Sequence, residues 1–353
     1  MTFDPVFRTD LYRGTAQDYD RYRLAYPEVL LADLRARVGL DGCGRLLDLA
    51  CGTGQVARAL AGDFEQIVAV DQEAESVAYG RTRAQASGLS HIDWLVGRAE
   101  DVVLDGAFDM VTVGNAFHRL QRQLVAERVR SWLRPGGWLV LLWGGNACLG
   151  EREWQLVLRE EFAAGWTRWL ATSPLPVGWQ EAMDADPHER ILERAGLVYE
   201  GNHEFVLPHT WSVEEVTGFC YSTSFFSRAA LGERAPEFEA ALAERLLAVC
   251  PDGRLEQDVG FAYGLARRPP PAAQRRRRRG VSSRAVRGPR AVKLRAKMAR
   301  NLTVPRFTSL AVTVAAESSR DGQSLARNRT AAGRLPPDRR RRRRRPDRRP
   351  DPG

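Results

Sequence analysis

Apolar residues along this chain follow two rhythms in alternation. Helical spacing runs through PEVLLADLRARVGL (27–40), and a continuous apolar burst, RLLDLA (45–50), follows it. The pattern then repeats. QVARALAGDF (55–64) predicts a helix, IVAVD (67–71) a strand and EAESVAYGRTRAQASGL (73–89) a helix. IDWLVG (92–97) and FDMVTVGNAF (108–117) predict strands, QRQLVAERVRSWL (121–133) a helix, and WLVLLWG (138–144) a strand after the breaker RPGG. Short, continuously apolar strands between helices belong to a parallel sheet covered on both faces. The right-handed crossover rule then makes a doubly wound α/β layer the simplest fold. Further on, 151–195 reads as helix-rich cover for one end of the sheet. Stretches 196–208 and 258–268 read as two late strands forming an edge pair, with helical segments between them. Ser212 followed by Glu215 fits a capping box.

Charge divides the chain. Over its 353 residues the net charge is +9, but residues 1–266 carry −14 and residues 267–353 carry +23. All the tryptophans and tyrosines lie in the first part, which can bury a core. The second, opening with RRPPPAAQRRRRRG, is Arg- and Pro-rich and has the composition of a disordered tail. Such a tail reads either as a basic arm that grips nucleic-acid phosphates or as sequence outside the original reading frame. The densest apolar stretch, Trp138–Trp143, falls far short of the ~20 residues that span a bilayer, and the start lacks the pattern of a secretory signal. The five cysteines are never spaced as CxxC. That excludes a zinc ribbon, leaves no metal site and favours a reducing, cytoplasmic compartment.

The chemistry concentrates at LLDLACGTG, Leu46–Gly54. A strand ends there, the chain turns through Gly52 and Gly54, and a helix begins near Gln55. Glycines belong where a ligand approaches the backbone closely. Asp71, at the tip of the next strand, is placed to accept both ribose hydroxyls of a nucleoside. Gly52, Gly54 and Ala57 also satisfy the GxGxxG/A dinucleotide fingerprint, a weak signal by itself. Asp48 argues against that reading, since an acid beside the turn suits a ligand ammonium and repels a pyrophosphate.

These stretches, with GRAED (97–101), FDMVTVGNAFHR (108–119) and LRPGGWLVLLW (133–143), resemble in order and spacing the class I S-adenosylmethionine-dependent methyltransferases. The resemblance covers about 20–268 and is nearest the small-molecule branch that includes trans-aconitate methyltransferase. It implies a Rossmann-like, mostly parallel seven-stranded sheet in a domain over 1–268, with core 45–143, an N-terminal lid 12–27, and substrate-side helices in 151–195 and 211–250. The disordered tail would be 269–353. It also implies S-adenosyl-L-methionine as cofactor, with Asp48, Ala50, Gly52 and Gly54 around the methionine part and Asp48 near its amino group. Asp71 would hold the ribose, and Gln72, Ala99 and Glu100 the adenine. Asn115 would face the transfer site, and Arg23 of the lid would reach the methionine carboxylate. Arg98 and Arg119 stand where relatives often carry Asp and Trp.

Methyl transfer from a sulfonium requires alignment and exclusion of water, and a base only when the acceptor must lose a proton. His118, after the fourth strand, is the candidate base. Tryptophans 154, 166, 169 and 179 either wall an apolar acceptor pocket or pack the core. Cys51 reads as a small packing residue. The expected partner is a small-molecule acceptor, with no membrane and with nucleic acid reachable only through the tail. Two other readings remain, a nucleic-acid methyltransferase tethered by that tail and a non-catalytic cofactor-binding module. An NAD oxidoreductase would need a catalytic Tyr-Lys or His-Asp pair, and the body has no lysine.

Overall fold

The computed structural model of the protein describes residues 6–170, 176 and 178–271. The rest of the Arg-rich tail and the side chain of Trp166 lie outside the described residues. Helices α1 (Ala16–Tyr22) and α2 (Glu28–Val38) precede strand β1 (Arg45–Leu49). The chain continues through α3 (Gln55–Ala59), β2 (Gln66–Asp71), α4 (Ala74–Ala86), β3 (Ile92–Val96), β4 (Phe108–Gly114), α5 (Arg122–Trp132) and β5 (Leu133–Gly144). Helices α6 (Glu153–Arg168), α7 (Trp179–Ala185) and α8 (His188–Arg194) lead to β6 (Val198–Trp211). Helices α9 (Val213–Tyr221), α10 (Arg228–Leu231) and α11 (Ala235–Val249) then lead to β7 (Leu255–Arg267).

The strands form one seven-stranded sheet in the order β3-β2-β1-β4-β5-β7-β6. The first five are parallel, whereas β7 runs antiparallel to both β5 and β6. This is the doubly wound α/β layer expected from the apolar rhythm, and the Rossmann-like, mostly parallel seven-stranded sheet that the resemblance implies. Successive strand residues face opposite sides of the sheet. Leu46, Ile67, Ala69 and Met110 pack in one buried cluster with α2, α3 and α4, while Leu47, Leu49, Val68, Val70 and Val111 pack in another with α5 and α8. Both faces are covered, which is why these strands read as unbroken apolar runs.

Strand order reverses at β1, with β2 on one side and β4 on the other, and an α/β sheet opens its ligand crevice at the carboxyl ends beside such a point. The N-terminal helix α1 is fixed next to that crevice. Asp20 pairs with Arg58 of α3 and with Arg83 of α4, the latter at 3.2 Å, and Asp18 meets Arg228 at 3.2 Å. The Ser212–Glu215 capping box forms at the start of α9.

Two details differ from the expectation. The RPGG breaker lies inside β5, where Phe108 pairs Leu133 and Met110 already pairs Trp138, so the four residues bulge out of register. The late strands pair with each other, but only β6 is an edge. Strand β7, apolar on both faces over its second half, is inserted between β5 and β6. Among the described residues no helix is long and apolar enough to cross a membrane.

Candidate cofactor cleft

Strand β1 ends at Leu49 and the chain turns left-handed at Ala50 (φ +51°), Gly52 (φ +56°) and Gly54 (φ +75°) before α3 begins. The two glycines do different things. A Cβ at Gly54 would run into the indole of Trp94, so this glycine lets the turn close onto β3. A Cβ at Gly52 would meet no atom within 4 Å, and its backbone lines an open cleft. Glycine there keeps bare backbone available to a ligand.

Asp71 ends β2 across from this turn. Its Oδ2 accepts the Gly52 N–H at 2.8 Å and its Oδ1 the Glu73 N–H at 2.8 Å. Burial pushes its carboxyl above the ordinary range, while the N–H groups of Glu73, Gly52 and Gln72 pull against that shift. The carboxylate lines the cleft with Ala50, Gly52 and Gln72. Ala99, Glu100 and Asn115 line it farther along, and the non-atom space amounts to about 1070 Å³, open mouth included.

Several of these groups are held by the fold itself. Glu100 is buried and accepts the Gln121 N–H at 3.1 Å, which ties the loop after β3 to the start of α5. Asn115 is left-handed at φ +50°, and its amide pairs with Gly144, accepting its N–H at 3.1 Å and donating to its carbonyl at 3.3 Å. These two bonds tie the end of β4 to the end of β5. Glu73 also faces the cleft, and its Oε1 is enclosed with no hydrogen-bond partner among the described residues. Burial and the neighbouring Asp71 raise its carboxyl.

Four sequence-expected site residues do not line the cleft. Asp48 is buried beneath the turn, accepting the Thr112 hydroxyl at 2.8 Å and the Ala57 N–H at 3.1 Å. It fastens the start of α3 to β4, and burial raises its carboxyl to about 7. Both of these contacts are with the fold. Gly54 packs on Trp94. Arg23 donates to Ser222 Oγ at 2.8 Å and lies over the rings of Tyr19 and Phe219 at 5.2 and 4.6 Å, joining the N-terminal segment to α9. The His118 ring sits edge-on to Trp179 at 6.0 Å. Burial, with Arg119, His188 and Arg122 nearby, holds its pKa well below the ordinary value, so the ring is neutral.

The cleft also gathers Arg119 and residues of the expected lid 12–27, none of them expected as cofactor ligands, and Phe7, which sequence reasoning did not single out. Phe7, Tyr12, Thr15 and Tyr19 cover it from the N-terminal side, and Arg119 lines it from the turn after β4. In YRGTAQDYDRYRLAYP (12–27) tyrosines alternate with arginines, and this interleaving is the sequence signal for Tyr12 and Tyr19. Phe7 carried none, standing in a stretch without periodicity. Trp154 and Trp169 pack in the core, and Trp179 stands behind Phe7 and His118. Burial beside Asp71 and Asp48 holds the Cys51 thiol neutral.

Residues 46–137 match the family described as methyltransferase domain. The ubiquinone/menaquinone biosynthesis C-methyltransferase UbiE of Rubrivivax gelatinosus is 39% identical over 94 residues, covering 26% of this chain and 36% of that protein. A ubiquinone biosynthesis O-methyltransferase of Xanthomonas campestris pv. campestris is 34% identical over 116 residues, covering 32% and 48%. The tRNA (uracil-5-)-methyltransferase homolog A of Mus musculus is 37% identical over 107 residues, covering 29% and 18%. The chain spans less than half the length of each of these relatives.

Proposed function

We propose that the chain, whose residues 46–137 match the methyltransferase-domain family, transfers a methyl group from S-adenosylmethionine to a small-molecule acceptor, with 1–268 as its working unit. The observation that carries this reading is the junction of Asp71 with the turn at Gly52. A carboxylate offers about four acceptor positions. Two are taken by Gly52 and Glu73, and those remaining face the cleft, where ribose hydroxyls can donate to them. Beside it the open Cβ position at Gly52 leaves room for close approach to the backbone. The residues present therefore fit the cofactor.

Asp71 and the backbone around Gly52 would hold its ribose and methionine parts, and Gln72, Ala99 and Glu100 its adenine. When bound, S-adenosylmethionine supplies an electrophilic methyl whose transfer leaves a neutral thioether. The chain's own contribution is placement. The Asn115–Gly144 pairing fixes one wall, the Glu100–Gln121 bond fixes another, and Phe7, Tyr12 and Tyr19 cover the space between. Alignment and dryness are what such a displacement needs. All five cysteines are free, which fits a reducing, cytoplasmic setting.

The test is transfer itself. Full-length protein, methyl-labelled S-adenosylmethionine and a panel of small hydroxyl, amine and activated-carbon compounds should yield label in an extractable small product. Label that enters only added RNA or DNA, or that never leaves the donor, contradicts the reading.

A further inference from the structure

Arg119 brings to the cleft a cation, two of whose nitrogens the fold leaves without an acceptor. Its Nη2 donates to Ser224 Oγ at 3.0 Å, but Nε and Nη1 are enclosed and meet no acceptor among the described residues. The rings of Phe7 and Tyr12 lie over the guanidinium at 5.2 and 5.4 Å, and Phe7 packs edge-on to Trp179 at 6.2 Å. Ring faces recover only part of what an enclosed guanidinium gives up on leaving water. The other cleft arginines are paired. Arg8 meets Asp10 at 2.9 Å, and Arg98 meets Glu100 and Asp101 at 3.6 and 3.4 Å.

We propose, building on the methyl-transfer reading, that Arg119 anchors the carboxylate of a flat aromatic or conjugated acceptor. A carboxylate supplies the acceptors that Nε and Nη1 lack, and charge-assisted bonds of this kind are the strong ones. The aromatic cover supplies the second half of the recognition. Phe7 and Tyr12 present ring faces, and a planar acceptor body can take their place over the guanidinium and stack against them. Arg119 lines the same cleft as Asp71, and its contacts favour the acceptor over the ribose. Its partners are Ser224 after α9, Tyr12, and Phe7 with Trp179 behind it, none belonging to the 50–54 turn or to Asp71. The same cation disfavours acceptors that carry an ammonium.

The experiment uses the full chain loaded with S-adenosylhomocysteine. Benzoate, 4-hydroxybenzoate and cinnamate are each titrated against their amides by calorimetry. At least one acid should bind about 10-fold or more tighter than its amide, the range expected of a hydrogen bond to a charged group. The preference should vanish in Arg119→Gln and survive in part in Arg119→Lys, with S-adenosylhomocysteine affinity within about twofold of wild type in both. Absence of any acid preference overturns the proposal, as does a preference that persists in Arg119→Gln. A loss of about 10-fold in S-adenosylhomocysteine affinity on that substitution also overturns it, by assigning Arg119 to the cofactor. If Arg119→Gln does not fold, Arg119→Lys decides, because its acid preference must fall below wild type while nucleoside affinity holds. Failure of wild type to bind S-adenosylhomocysteine is a different result; it removes the methyl-transfer reading and this proposal with it.

Discussion

The backbone N–H of Gly52 donates to Asp71 Oδ2 at 2.8 Å, joining the turn after β1 to the tip of β2. Glu73 takes the other oxygen from the start of α4. The carboxylate is thus oriented by the backbone of two separate segments before any ligand arrives. Orientation of this kind lowers the ordering cost of binding, and it makes the turn and the acid one unit whose parts can be perturbed separately.

The two turn glycines should separate stability from binding. Gly54→Ala pushes a methyl into Trp94 at a left-handed position and should cost about 2–4 kcal/mol in denaturant unfolding. Gly52→Ala meets open space, so only backbone strain of about 1–2 kcal/mol opposes it. Its methyl enters the cleft, and S-adenosylhomocysteine affinity should fall by about 10-fold or more. Equal effects of the two substitutions on both measurements would contradict this division.

Asp48 should make stability depend on pH. In the folded chain its carboxyl is raised from 3.8 to about 7 by burial, so between those values the fold holds a proton that the unfolded chain releases. Its contribution is full below about pH 4 and is lost as pH rises through 7, amounting to a few kcal/mol at most. Asp48→Asn removes that titration. Wild type should therefore be more stable relative to the variant at pH 5 than at pH 8, as measured by urea unfolding. A difference that is the same at both values contradicts the assignment.

What the sequence disclosed and what it withheld follow from distance along the chain. The strands were readable because both faces of the sheet are covered, and the turn was readable because glycines punctuate it. The role of Asp48 was not, because it depends on Thr112, brought alongside by the β1–β4 pairing. Arg23 is claimed by Ser222, from a segment packed on α1 only in the folded chain. Phe7 covers the cleft from a stretch with no periodicity, and the insertion of β7 between β5 and β6 leaves no local mark. Local rhythm specifies elements, while long-range pairing decides which polar groups remain free for a ligand.

His118 should stay neutral through the physiological range. Burial is the main cause, with Arg119, His188 and Arg122 adding to it. The ring-proton NMR signal of His118 should stay flat from about pH 5 to 8, whereas an unperturbed imidazole titrates near 6.5. A midpoint close to that value would place the ring in solvent or beside an acid, contrary to its packing on Trp179.

The most direct measurement is calorimetric titration of the full chain with S-adenosylhomocysteine, wild type against Asp71→Ala, with folding of both checked by circular dichroism. Wild type should bind, and the variant should lose about 10-fold or more in affinity, as expected when charged hydrogen bonds to a ligand are removed. A folded wild type that does not bind, or a variant that binds equally well, would contradict the assignment of this cleft to a sulfonium nucleoside.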